Sequence, residues 1–175
     1  MGKIEGRVKR YLACTGKIRE EVPYKAGILD GEKRVYYPDG NLEEKSIYVK
    51  GRQEGLSVRY FKDGSIKEEQ NYQNDKPHGL TRLYYRNGRV KEETAYQNGK
   101  KQGLCKHYYK NGNLKTEVQL RNGLKNGVTR QYTLSGHLWL EESYKDDKLD
   151  GPTKRYSAGG QVIKVLKYKD GKRVP

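Results

Sequence analysis

Gly79-Leu-Thr-Arg-Leu-Tyr-Tyr-Arg-Asn-Gly-Arg-Val-Lys-Glu-Glu-Thr-Ala-Tyr-Gln-Asn-Gly-Lys-Lys-Gln102 decides how this chain folds, because Gly103 then starts the same pattern again. The period is 24 residues, and it runs through the whole chain. An opening Gly recurs at Gly6, Gly31, Gly55, Gly79, Gly103, Gly127 and Gly151. A Tyr follows five residues later, at Tyr11, Tyr36, Tyr60, Tyr84, Tyr108, Tyr132 and Tyr156. A second Gly comes next, at Gly16, Gly40, Gly64, Gly88, Gly112, Gly136 and Gly160. An aliphatic stands two residues after that: Ile18, Leu42, Ile66, Val90, Leu114, Leu138 or Val162. Internal repetition at such a period identifies an array of small supersecondary units stacked on one another.

Each unit reads as a β-hairpin. Asp39-Gly40, Asp63-Gly64, Asn87-Gly88 and Asn111-Gly112 lie between Tyr-rich and aliphatic runs, a strong short-range hairpin signal. Pro38-Asp39-Gly40 predicts a three-residue loop: a type I turn with Pro at its second position, then a left-handed Gly. Between units a second turn is expected at Lys50-Gly51, Asn98-Gly99, Asn122-Gly123 and Asp170-Gly171, with Asp75 and Asp147 replacing the Gly twice. With the three-residue loop, Tyr60 opposes Ile66, and Arg34 opposes Glu44. Strict alternation then puts Tyr72 on the face of Tyr60 and Ile66. The opposite face carries Tyr37, Phe61, Tyr85 and Tyr109 with Lys67, Lys91 and Lys115; Trp139 replaces the lysine one unit later. The expected fold is all-β: tandem hairpins over residues 1–175 in one array, forming an elongated twisted sheet or open β-solenoid. The units starting at Gly127 and Gly151 diverge at their turns and read as a cap.

Composition is consistent with a thin sheet. Only 33% of residues are hydrophobic and 34% are charged, yet there are 16 tyrosines. Tyr buries its ring while its hydroxyl reaches a polar partner, which suits a structure without a deep core. The net charge of +15 favours anionic partners. Cys14 and Cys105 lie in different units and suggest neither a disulfide framework nor a metal site. No apolar run approaches the roughly 20 residues that span a bilayer. The start, Met1-Gly-Lys-Ile-Glu5, resembles the tail of a preceding unit and contains no signal-peptide core. The reading is therefore of a soluble chain, with the cytoplasm slightly favoured, or the cell surface or exterior if the chain is a fragment.

The run Tyr84, Tyr85, Asn87, Gly88, Glu92, Tyr96, Asn98, Gly99, Lys100, Gly103 resembles the MORN repeat, in the 24-residue variant form widespread in bacteria. The resemblance implies a scaffold for proteins or a binder of membrane lipid headgroups. It also extends to relatives labelled antitoxins, which implies an immunity-type alternative. All three functions come from the resemblance alone.

No residue pattern points to catalysis or a cofactor. Glu68-Glu69 and Glu92-Glu93 are adjacent on strands and diverge to opposite faces. His78, His107 and His137 fall at three different repeat positions, so no converging metal centre is expected. Two features stand out. One is the candidate ligand face Tyr37, Phe61, Tyr85, Tyr109, Lys67, Lys91 and Lys115, whose aromatics and lysines suit a stacked or anionic ligand. The other is the candidate docking patch Leu138, Trp139 and Leu140, the most apolar tripeptide and the place of the single Trp. The chain reads as a non-enzymatic module for a protein partner, with an anionic lipid surface as the alternative and nucleic acid disfavoured. The open edges of its end hairpins leave self-association as a further route.

Overall fold

The computed structural model describes residues 2–175, and every regular element in them is a β-strand. The chain divides into two compact units, residues 1–88 and 89–175. The first holds β1 (Gly6–Tyr11), β2 (Ile18–Lys25), β3 (Ile28–Leu29), β4 (Gly31–Tyr36), β5 (Leu42–Val49), β6 (Arg52–Gln53), β7 (Gly55–Tyr60), β8 (Ile66–Gln73) and β9 (Lys76–Tyr84). The second holds β10 (Val90–Gln97), β11 (Lys100–Tyr108), β12 (Leu114–Arg121), β13 (Leu124–Tyr132), β14 (Leu138–Lys145), β15 (Lys148–Tyr156), β16 (Val162–Lys169) and β17 (Lys172–Val174). Within each unit the strands pair antiparallel with their chain neighbours, and the sheet does not close on itself.

Two turns alternate along the meander. Within a repeat, the Gly40 amide donates to the Tyr37 carbonyl at 2.9 Å and the Tyr37 amide to the Asn41 carbonyl at 2.8 Å. That is the predicted three-residue loop, with Gly40 left-handed at φ 100°. Between repeats a two-residue turn has both residues left-handed, as at Asn122 (φ 53°) and Gly123 (φ 88°). Right-handed strand twist favours this turn type, which accepts Asn, Asp and Gly most readily. Asp75 and Asp147 do take the left-handed conformation, at φ 64° and 67°. Their carboxylates accept the Gln53 and Lys125 amides, each at 2.7 Å, a bond that Gly could not make. Ala26 (φ 51°) and Lys50 (φ 50°) occupy the first turn position with side chains that disfavour it. Ala26→Asn and Lys50→Asn are each expected to stabilise the fold by about 0.5–1 kcal/mol, read as a higher denaturant midpoint with unchanged slope.

The facing of the tyrosines differs from strict alternation. Tyr60 opposes Ile66 as expected, but Arg59 opposes Glu68, so Lys67 is an extra residue in β8. This bulge recurs: Val35 opposes Glu44, and Arg34 opposes Lys45 instead of Glu44. A bulge inverts the facing of everything beyond it. Tyr72 therefore lies on the side opposite Tyr60 and Ile66, opposing Gly55 and near Arg59 and Glu68. The Tyr60 position belongs instead with the second Glu of each pair. The Tyr36, Tyr84, Tyr108 and Tyr132 hydroxyls donate to Glu21, Glu69, Glu93 and Glu117 at 3.3, 2.5, 3.0 and 3.1 Å.

Most of the core is one row across the middle of the strands, with Val58, Leu120 and Leu140 buried beside it. In the second unit it runs Thr94, Cys105, Val118, Thr129, Glu142, Thr153, Leu166, each opposite the next. Thr94 is 1% exposed and Cys105 3%. In the first unit the row includes Val22, Ser57, Gln70 and the fully buried Ser46. No second layer covers these side chains. Along β8, Gln70 sits between Glu68, which pairs with Arg59 at 3.2 Å, and Tyr72. Long neighbours can cover short residues, which fits a row whose buried members are, Gln70 apart, Ser, Thr, Val and Cys.

Candidate functional site

The aromatic stripe is positioned by the loops. In the first unit the Tyr37 hydroxyl donates to the Tyr60 carbonyl at 2.7 Å, joining one loop to the next. Cations lie over two of these rings: Lys62 at 5.9 Å from the Tyr37 centroid and Arg86 at 4.9 Å from that of Phe61. Tyr85 is half-buried and Lys67 is exposed. In the second unit the Tyr109 hydroxyl donates to the Tyr132 carbonyl at 2.8 Å, with Lys115 lying over the ring at 5.6 Å. Lys91 is exposed. The rings of the predicted ligand face thus have partners within the sheet, and Lys67 and Lys115 occupy bulges. Arg19, at the same bulge position, pairs with Glu43 at 2.6 Å, so residues one repeat apart meet there.

The tripeptide Leu138, Trp139 and Leu140 does not converge on one surface. Leu140 is buried at 8% exposure, opposing Gln131 and Arg155. Leu138 opposes Tyr132 on the other face, and Trp139, at the bulge, is 38% exposed. One repeat further on, β16 exposes Val162, Ile163 and Val165 to 49%, 66% and 51%. Trp139 and Ile163 stand at the positions where Arg19 and Glu43 meet in the first unit. This apolar strand was not singled out from sequence, although Val-Ile-Lys-Val-Leu is legible there.

A third grouping brings together residues that the repeat positions set apart. Cys105 and His107 alternate on β11, and His107 opposes Glu92 on β10. The Cys105 Sγ lies 3.5 Å from His107 Nε2, and His107 Nδ1 lies 3.5 Å from Glu92 Oε2. Thr94 Oγ1 stands 3.0 Å from the sulfur and donates to Glu92 Oε1 at 2.8 Å. Burial pushes the Cys105 thiol above its ordinary pKa. The signal was present in Cys105-Lys106-His107, whose period of two suits one strand face; Glu92 joins them only through the pairing of β10 with β11, in which it opposes His107. His137 is elsewhere, its Nδ1 at 2.9 Å from Ser135 Oγ in a loop, and Cys14 is exposed.

The model of the MORN repeat variant matches residues 29–50, 53–74, 77–98, 101–122 and 125–146. No curated protein matches the chain.

Proposed function

Because the chain belongs to the MORN repeat variant family, whose members are generally non-enzymatic modules for protein or membrane interaction, we propose that it binds an acidic, partly apolar protein surface through its open sheet. The carrying observation is β16. A chain of mean hydropathy −1.14 leaves Val162, Ile163 and Val165 about half or more exposed within four residues of one strand. Exposed apolar clusters with a polar rim mark interaction surfaces. The rim here is cationic: residues 148–175 hold eight Lys or Arg against two Asp. In this reading the stripe Tyr37, Phe61, Tyr85 and Tyr109 is a loop-to-loop scaffold. Lys67, Lys91 and Lys115 add charge that draws an acidic partner in.

Capture on the immobilised chain tests this, comparing it with Ile163→Asp and Lys115→Glu variants and with phosphatidylserine vesicles as a parallel arm. The expected result is a protein retained by the native chain, lost at least tenfold by Ile163→Asp, and bound independently of lipid. Salt-sensitive vesicle binding that depends on Lys115 and not on Ile163, with no protein so retained, would overturn the reading in favour of a membrane surface.

A further inference from the structure

We propose that Cys105, His107 and Glu92 form a binding site for a divalent cation of the zinc class. One donor atom from each lies within 4.8 Å of the other two. With metal–sulfur and metal–nitrogen bonds of roughly 2.3 and 2.0 Å, a tetrahedral site places those two donors about 3.5 Å apart. The Cys105 Sγ and His107 Nε2 stand 3.5 Å apart already. Rotation of the Glu92 carboxylate away from Thr94 and Lys101, which lie 2.8 and 3.7 Å from Oε1, supplies an oxygen. Lys101 is a flexible chain on the neighbouring strand segment, so an arriving cation replaces its charge rather than meeting a fixed one. The fourth position faces outward, since the His107 side chain is 40% exposed. A thiolate, an imidazole and a carboxylate select zinc-like ions over magnesium or calcium.

The repeat itself provides the control. At the position of Cys105 the other repeats have Val8, Lys33, Ser57, Thr81, Thr129 and Thr153. At the position of His107 they have Arg10, Val35, Arg59, Leu83, Gln131 and Arg155. One repeat pair shows the arginine pattern directly: Arg59 opposes Glu44, the counterpart of Glu92 on the preceding strand, and its Nε lies 3.6 Å from the Glu44 carboxylate. The repeat starting at Gly103 replaces a built-in cation with two metal-ligating groups, side by side and beside that same carboxylate. A nucleophilic triad has the same three residue types, but Cys105 is 3% exposed, so a substrate carbonyl cannot reach its sulfur while a bare ion can.

The test is titration of the full reduced chain with Co²⁺, reading sulfur-to-cobalt charge-transfer absorption, followed by calorimetry with Zn²⁺. Cys14→Ser serves as the background, because Cys14 is an exposed thiol. Cys105→Ser and His107→Arg restore residue types that other repeats carry at those positions, so the fold should survive, and circular dichroism checks it. One charge-transfer site per chain is expected, absent in Cys105→Ser, with Zn²⁺ affinity falling at least about 100-fold in Cys105→Ser and His107→Arg. Absence of the charge-transfer band in the native chain, or equal Zn²⁺ affinity in the native chain and folded Cys105→Ser, would overturn the proposal.

Discussion

Gly151→Ala is expected to cost about 3 kcal/mol, while Gly103→Ala at the same repeat position costs about 1 kcal/mol. Both glycines open a repeat in the second unit, and each opposes the residue eight after its second Gly. Gly103 has φ 82°, close to the left-handed region that Ala enters at modest cost, and an added Cβ meets no atom within 4 Å. Gly151 has φ 112°, outside the region any L-residue adopts readily, and its Cβ would lie 2.9 Å from the Ser143 Cβ. A Cβ is fixed by the backbone, so relief requires β14 or β15 to move. Hydrogen exchange of the β15 and β16 amides reads the difference, as about 200-fold faster opening in Gly151→Ala against about fivefold in Gly103→Ala if both open through the same unfolding. Equal costs would show that the close approach to Ser143 is relaxed at no expense.

Val118→Pro should be the most damaging single change in the second unit. Val118 is 9% exposed at the centre of β12, opposing Cys105 on one side and Thr129 on the other. A strand paired on both sides has no amide to spare, and proline removes one. The loss is expected to be about 3 kcal/mol or more, from the missing ladder bond and the ring's clash with the strand. In an array each repeat is supported by its neighbours, so the damage should be local. Amides of β11, β12 and β13 are expected to lose protection, whereas β15 and β16 retain more of theirs. Uniform loss across residues 89–175 would instead mean that the unit unfolds as one block.

The candidate surfaces were legible to different degrees. Trp139 stood out by composition, and it is exposed, but its neighbours Leu138 and Leu140, which alternation would keep on one face, diverge because the bulge at Trp139 inverts the facing between them. The stripe Tyr37 and Tyr109 was legible as a periodic feature. The partners of those hydroxyls, the Tyr60 and Tyr132 carbonyls, are backbone atoms that no side-chain pattern reports. Glu92 was legible as one of many glutamates, and nothing in its own residue type distinguishes it from Glu68 or Glu44.

The amino-acid sequence by itself determined the period, the all-β class, the hairpin in each repeat, its three-residue loop and the place of the second turn. These follow from local steric rules: Pro38 presets one loop, Gly40 and Asn122 accept φ above zero, and Tyr and aliphatic runs form pleated strands. The tertiary structure decided which residues share a face. One extra residue after each loop, Lys67 in β8 for example, has no steric signature of its own, because any L-residue can occupy it. It becomes a bulge only when the partner strand is paired, and from there it inverts the facing of every side chain up to the next turn. That inversion separates Tyr72 from Tyr60, and the pairing of β10 with β11 sets Glu92 opposite His107 and beside Cys105.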